Sequence, residues 1–192
     1  MENYGVIFGA LVSLFGIFFY IRETVKGKTK PNRITWFMWA VAPFIATAAA
    51  ISNGVNWAVL PVFMAGFSPF LVFLASFWNP KSYWKLGTLD YLCGLFSILA
   101  LILWAMTQNP TIAIVFAIVS DALAGLPTVI KCWKKPETET WTPFFTGLFS
   151  AATTFSIIKV WSFSEYAFPA YLIVLNSILL IAIFRKKLSK SN

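Results

Sequence analysis

The sequence predicts an all-α integral membrane protein. Seven transmembrane helices are expected, as two parallel three-helix repeats joined by a linker helix, with the N-terminus outside and the C-terminus inside. Three observations carry this. The chain is 59% apolar and only 11% charged over 192 residues, against about 25% charged in a typical soluble domain. Its basic residues fall in short clusters between long apolar runs. Two of those clusters echo each other: TVKGKTKPNRITWFMW at 24–39 and TVIKCWKKPETETWTPF at 128–144 both run basic, then Pro, then Thr-Trp, then apolar.

A helix needs roughly 20 mostly apolar residues to cross a bilayer core of about 30 Å. Span one is 4–21. The run 34–80 carries no charge and is long enough for two crossings, and Asn53-Gly54 within ISNGVNW is a turn signal that divides it. Span two is therefore 34–51 and span three 56–78. Span four covers 88–107, with Thr88 as its expected N-cap. TQNPT at 107–111 ends it. Span five is 111–131, span six 141–158 and span seven 166–184. Helices are the expected element because a bilayer core offers no water to backbone groups. The opening MENYGVIFGA has no basic leader segment, so span one is expected to remain as a membrane helix.

The charges orient the spans. Arg22, Lys26, Lys28, Lys30 and Arg33 follow span one, and Lys81 and Lys85 follow span three. Lys131, Lys134 and Lys135 follow span five, and Arg185, Lys186, Lys187 and Lys190 follow span seven. Only Lys159 falls on the other side. The positive-inside rule then places the basic loops in the cytoplasm. Interleaving of charge with apolar runs also explains the net charge of +8 without nucleic acid. The lipid bilayer is the expected partner.

Spans one to three map onto spans five to seven. Trp36 and Trp141 lie 105 residues apart; Ser13 and Asp121, Pro61 and Pro169, and Ser68 and Asn176 each lie 108 apart. Two three-helix units in tandem would point in opposite directions, because three is odd. The extra fourth span restores a parallel repeat. The units are then 1–80, a linker at 81–110, and 111–192 with its basic tail. Parallel repeats with a midplane site at their interface are a transporter architecture.

Within that frame, LPTVIKCWKKPETETWTPF at 126–144 resembles the second signature of the PQ-loop (SWEET-like) transporter superfamily. That group includes SWEET sugar transporters, cystinosin-like exporters and, more distantly, bacterial nicotinamide riboside and thiamine transporters. Pro127-Thr128 stands where the family usually has Pro-Gln, and the first repeat has Phe19-Tyr20 there. The resemblance implies the three-one-three layout over the whole chain and the N-out, C-in orientation.

Few polar residues stand near mid-span: Ser13, Ser68, Asp121, Ser150 and Asn176. The resemblance implies that Ser68 and Asn176, mid-way along spans three and seven, hold substrate. Read alone, Asn176 suits either binding or an interhelical hydrogen bond. Asp121 is the only acid well inside a span. Such carboxylates face a cavity or a partner. It reads as a proton or cation relay, as the resemblance to cystinosin-like proteins implies, or as a structural carboxylate bonded to a neighbouring Ser, Thr or Trp. Most of the nine tryptophans, Trp57 among them, sit at span ends and are expected in interfacial belts. Trp39 lies one turn inside span two and is placed to stack a flat or sugar-like solute. Prolines interrupt several spans. The resemblance implies that Pro43 and Pro127 are hinges; a static kink is the alternative.

Other chemistry is excluded or left bland. There is no histidine, and Cys93 and Cys132 have no metal-ligand or disulfide spacing, so no metal, cofactor or disulfide is expected. One buried acid without histidine offers no enzyme constellation. Residues 166–184 contain no lysine, which excludes an opsin-like chromophore site. Asp90 suits the dipole of span four, and Glu137 and Glu139 are expected in a solvated loop. The expected function is transport of a small solute, a sugar, vitamin or amino-acid-like molecule, by alternating access between the repeats, with Asp121 as the candidate for proton coupling. The alternative is a receptor or accessory subunit on the same scaffold. A homo-oligomer is compatible with either. Short loops and no targeting segment point to a prokaryotic inner membrane.

Overall fold

The computed structural model describes residues 4–52, 60–107, 109–155 and 161–188. Asn53-Gly54, Trp57, Lys159 and Lys190 lie outside the described residues. Among the described residues the chain forms seven α-helices: α1 (Tyr4–Val25), α2 (Arg33–Ser52), α3 (Leu60–Ala75), α4 (Thr88–Met106), α5 (Pro110–Lys134), α6 (Thr142–Phe155) and α7 (Phe163–Leu188). Two 3-10 turns, Pro80–Ser82 and Pro136–Thr138, lie in the loops before α4 and α6.

Local chemistry sets the helix ends. Gly27 has φ +78°, the left-handed conformation that glycine tolerates best. Gly27 N–H then bonds Thr24 C=O at 2.9 Å and Lys28 N–H bonds Glu23 C=O at 3.0 Å. Those two bonds close α1 as a Schellman motif. Asn32 caps α2, its Oδ1 accepting from Ile34 N–H at 3.1 Å and Thr35 N–H at 3.2 Å. Asn109 caps α5 in the same way, with Pro110 at the first helical position, where its missing N–H is not needed. The cap of α4 is Gly87, not Thr88. Asp90 outweighs the threonine hydroxyl there, because its carboxylate accepts Gly87 N–H at 2.6 Å.

The helices pack in a consistent order. α3 lies against both α1 and α2, and α7 against both α5 and α6. Across the middle, α1 packs on α6 and α2 on α5, while α4 packs on α5 and α2. α4 shows why it sits at the periphery. It buries Asp90, Cys93, Gly94, Ser97 and Leu101 along one face, the spacing of a helix packed on one side. Leu92, Leu95, Phe96, Leu99 and Leu103 are exposed on the rest of its surface. So much outward apolar surface is suited to lipid rather than water. On the packed face Ser97 Oγ donates to Ser120 C=O at 2.8 Å, and Ser120 Oγ returns a bond to Ser97 C=O at 3.0 Å. Small residues that exchange hydrogen bonds let helices approach closely where no hydrophobic drive separates protein from lipid.

Three helices are long and apolar enough to cross a membrane on the described residues: Thr88–Met106, Thr111–Lys134 and Tyr166–Arg185. The chain fits a helical membrane protein. The loops after α1, α3 and α5 gather with the C-terminal part of α7 at one end, which carries most of the basic residues. Lys30 N–H bonds Thr138 C=O at 2.9 Å, Asn79 Nδ2 donates to Val25 C=O at 2.9 Å, and Arg185 donates to Trp133 C=O. Arg33 donates to Ser76 C=O at 2.8 Å and stacks 3.9 Å over the Phe77 ring. We call this the basic end. The main core lies in the same half, where Ile17, Tyr20, Trp36, Val72, Cys132, Phe144 and Leu179 are buried together.

Candidate functional site

Above that core lies a partly open cavity of about 560 Å³. This is within the range of about 300–1,000 Å³ for small-molecule sites. Helices on both sides of the bundle line it. α1 contributes Ser13 and Ile17, α2 Trp36, Trp39 and Pro43, and α3 Ser68 and Pro69. α5 contributes Asp121, α6 Phe144, Gly147 and Ser150, and α7 Phe168, Leu175 and Asn176. The sequence-derived residues Ser13, Trp39, Pro43, Ser68, Asp121, Ser150 and Asn176 thus share one cavity. Pro127 is buried in α5 and does not line it.

Each polar group has a defined setting. Asp121 Oδ2 accepts a hydrogen bond from the Tyr171 hydroxyl at 2.7 Å. Trp39 Nε1 donates to the Asp121 backbone carbonyl at 3.3 Å. That bond fixes the Trp39 ring beside the cavity, edge-on to Trp36 with centroids 5.3 Å apart and planes at 82°. Asn176 Nδ2 donates to Leu172 C=O one turn back, at 2.8 Å. Gly147 keeps α6 close: a Cβ there would stand 3.3 Å from Asn176 Oδ1.

Below the cavity floor lies a buried polar cluster that joins the two halves. Lys131 and Glu139, both with fully buried side chains, form an ion pair. Lys131 Nζ also donates to Lys30 C=O at 2.5 Å and lies 5.5 Å from the Trp84 ring centroid. The other Glu139 oxygen accepts from the Tyr20 hydroxyl, and Trp36 Nε1 donates to Tyr20 Oη at 3.2 Å. Trp36 therefore belongs to both the cavity and the cluster. Nearby, Thr35 Oγ1 donates to Ala124 C=O at 2.7 Å and receives a bond from Thr128 Oγ1 at 2.9 Å. Among the described residues, hydrogen bonds between α1–α2 and α5–α6 run from Trp39–Asp121 at mid-bundle down to Lys30–Thr138 at the basic end.

Two expectations need correction. Glu139 is not in a solvated loop: the 3-10 turn at 136–138 folds the loop inward and delivers its carboxylate to Lys131. Trp36 is not part of an interfacial belt: it is 2% exposed, packed against Tyr20 with centroids 4.8 Å apart. The sequence reading also missed Tyr20 and Lys131. For Lys131 a signal existed. Ala124, Thr128 and Lys131 recur at i, i+4 and i+7, so the lysine shares the packed face of α5. All three are buried. No comparable signal marked Glu139, whose burial depends on a contact across 8 residues of chain and on Tyr20, 119 residues away.

Asp90 and Asn32 form a second cross-link, between the α4 start and the α2 cap, with Asn32 Nδ2 donating to Asp90 Oδ1 at 2.6 Å. Neither residue lines the cavity, and the pair is structural in character. Cys93 and Cys132 are buried free thiols. Among the described residues there is no cluster of histidine, cysteine or acidic side chains suited to a metal ion. Searches against protein-family models, curated proteins and solved structures found no match to this chain, so the site itself carries the functional argument.

Proposed function

We propose that this protein is a small-solute transporter of the inner membrane, working by alternating access between a unit of α1–α3 and a unit of α5–α7. One observation carries the reading: a small-molecule-sized cavity at mid-bundle, lined from both units and backed on one side by a polar cluster joining them. The matching order of packing, α3 between α1 and α2 and α7 between α5 and α6, supports a parallel repeat with α4 as linker. The contacts across the middle agree, since exchanging the units turns α1 on α6 into α5 on α2. The basic loops face the cytoplasm in this reading, so the cluster seals the cytoplasmic side and the cavity answers to the outside.

In the cycle, substrate enters from outside and contacts Ser13, Ser68, Ser150 and Asn176. The Lys131–Glu139–Tyr20 cluster then opens as the units rock, with Pro43 and Pro127 as points where α2 and α5 bend. Asp121 carries the coupling proton. The deciding experiment is uptake of labelled solutes into liposomes, with and without a pH gradient. Gradient-driven uptake in the wild type that is lost in Asp121→Asn supports coupled transport. Gradient-independent flux that survives Asp121→Asn but not Asn176→Ala replaces coupling with facilitated diffusion. No flux of any solute from folded protein overturns transport in favour of a receptor or accessory subunit.

A further inference from the structure

The cavity has charge of one sign only. Asp121 is the single ionisable side chain among the described lining residues. Its side-chain partners are the Tyr171 hydroxyl and the Trp39 indole N–H, both neutral, and it makes no ion pair among the described residues. The one fully buried cation among the described residues, Lys131, is taken by Glu139. A carboxylate at mid-bundle calls for a positive partner. The described residues supply none there, so the partner comes from outside: a proton or the charge of a solute.

The walls indicate what kind of solute. Trp39 and Phe168 line the space with Asp121, Trp39 held edge-to-face by the nearly fully buried Trp36, and Phe144 backs the wall from the core. Aromatic faces attract organic cations, tryptophan most strongly. Most of the remaining lining is aliphatic, proline or glycine, with only Ser13, Ser68, Ser150 and Asn176 offering neutral polar groups. A strongly hydrated anion would find no basic group. A sugar would leave most of its hydroxyls without partners, which is costly.

We propose that the substrate is an organic cation with a flat apolar body, and that it exchanges with a proton at Asp121. This rests on the transport reading for its second half, exchange, but the cation site stands on the cavity alone. One carboxyl group holds one positive charge. When the cation enters, the Asp121 O–H bond breaks, its proton passes to water on the open side, and the carboxylate pairs with the cation. The charge of the loaded cavity is the same with either occupant. Release on the far side reverses the step, so exchange is one for one.

Competition by protons needs no other titrating group at the site. Among the described side chains of the elements packed on α5, α2 carries Arg33 at its first residue, and α4 carries Asp90, Tyr91 and Cys93 in its first turns. α7 carries Tyr166, Tyr171 and Arg185, and the 3-10 turn carries Glu137. Of these only Tyr171 contacts the Asp121 carboxyl.

The test is direct binding to the full chain in lipid nanodiscs. Labelled phenyltrimethylammonium is the probe; tert-butylbenzene is its uncharged isostere and benzoate an anionic comparator. The expected result is saturable cation binding that neither comparator displaces. Its affinity falls by about tenfold per pH unit on the acid side, the slope for one competing proton. Asp121→Asn weakens binding by about 30-fold or more and flattens the pH profile, as loss of a buried charge partner should; Asp121→Glu retains both. If Asp121→Asn does not stay folded, the wild-type pH profile and the isostere comparison decide. Displacement by tert-butylbenzene at equal affinity, a flat wild-type profile, or wild-type binding by Asp121→Asn overturns the proposal. Cation binding without gradient-driven flux in liposomes upholds the site and overturns transport. Gradient-driven flux of an uncharged solute, with no cation binding, does the reverse.

Discussion

Lys131 and Glu139 meet at full burial, with Tyr20, Lys30 C=O and Trp84 around them. A buried ion pair adds little net stability over well-packed apolar residues, but breaking one side of it is expensive. Lys131→Met leaves Glu139 buried without its cation against the Tyr20 hydroxyl. We expect a loss of about 3–5 kcal/mol in stability, read as a fall in unfolding temperature in detergent. Lys131→Met combined with Glu139→Gln should recover most of that loss, because no charge is then stranded. Equal damage from the single and double variants would show that packing, not charge, holds the site. The same residues show where sequence reasoning fell short. Lys131 was legible from its i+7 relation to Ala124, but Glu139 sits in a charged, proline-containing loop that locally reads as solvated. Its fate depended on which groups the fold brought to it.

Between helices, close approach is set by small residues. A Cβ on Gly16 would stand 2.9 Å from the Thr142 carbonyl and would also meet the Thr146 side chain. The α1–α6 seam there is closed by Thr142 Oγ1 donating to Gly16 C=O at 3.1 Å. A backbone oxygen cannot turn away as a side chain can. Gly16→Ala should therefore push α1 from α6 and destabilise by about 1–3 kcal/mol, measured by thermal unfolding. Prolines make a separate test of the transport reading. Pro127→Ala supplies the N–H that proline lacks and stiffens α5. If α5 bends in the cycle, uptake slows several-fold while unfolding temperature holds or rises. Unchanged uptake would make the proline a static kink. Helix extents were the most legible feature at this scale. Span two, read as 34–51, is Arg33–Ser52, and span five, read as 111–131, is Pro110–Lys134. Apolar length is local, so it survives any packing. The α4 cap was read one residue late because the competition between Thr88 and Asp90 is settled by geometry within a single turn.

For the whole molecule, orientation is the property that charge distribution predicts and labelling can test. Glu137 is exposed in the loop after α5, and Thr111 is exposed at the opposite end of that helix. With the native thiols Cys93 and Cys132 buried, Glu137→Cys should react with a membrane-impermeant maleimide only in inside-out vesicles, and Thr111→Cys only in intact cells. The reverse pattern would invert the orientation and place the sealed side of the cavity outside. The sequence by itself determined the all-helical class, the approximate positions of seven helices, and the clustering of basic charge in alternate loops. Those follow from backbone satisfaction in lipid and from apolar length, both readable along the chain. It also singled out the polar residues Ser13, Ser68, Asp121, Ser150 and Asn176. Tertiary structure alone decided that they line one cavity, that Trp36 rather than an interfacial belt forms its floor, and that Glu139 reaches Lys131 and Tyr20 beneath it. The physical reason is that burial of a polar group depends on partners distant in sequence, and a chain written in order does not state which of them meet.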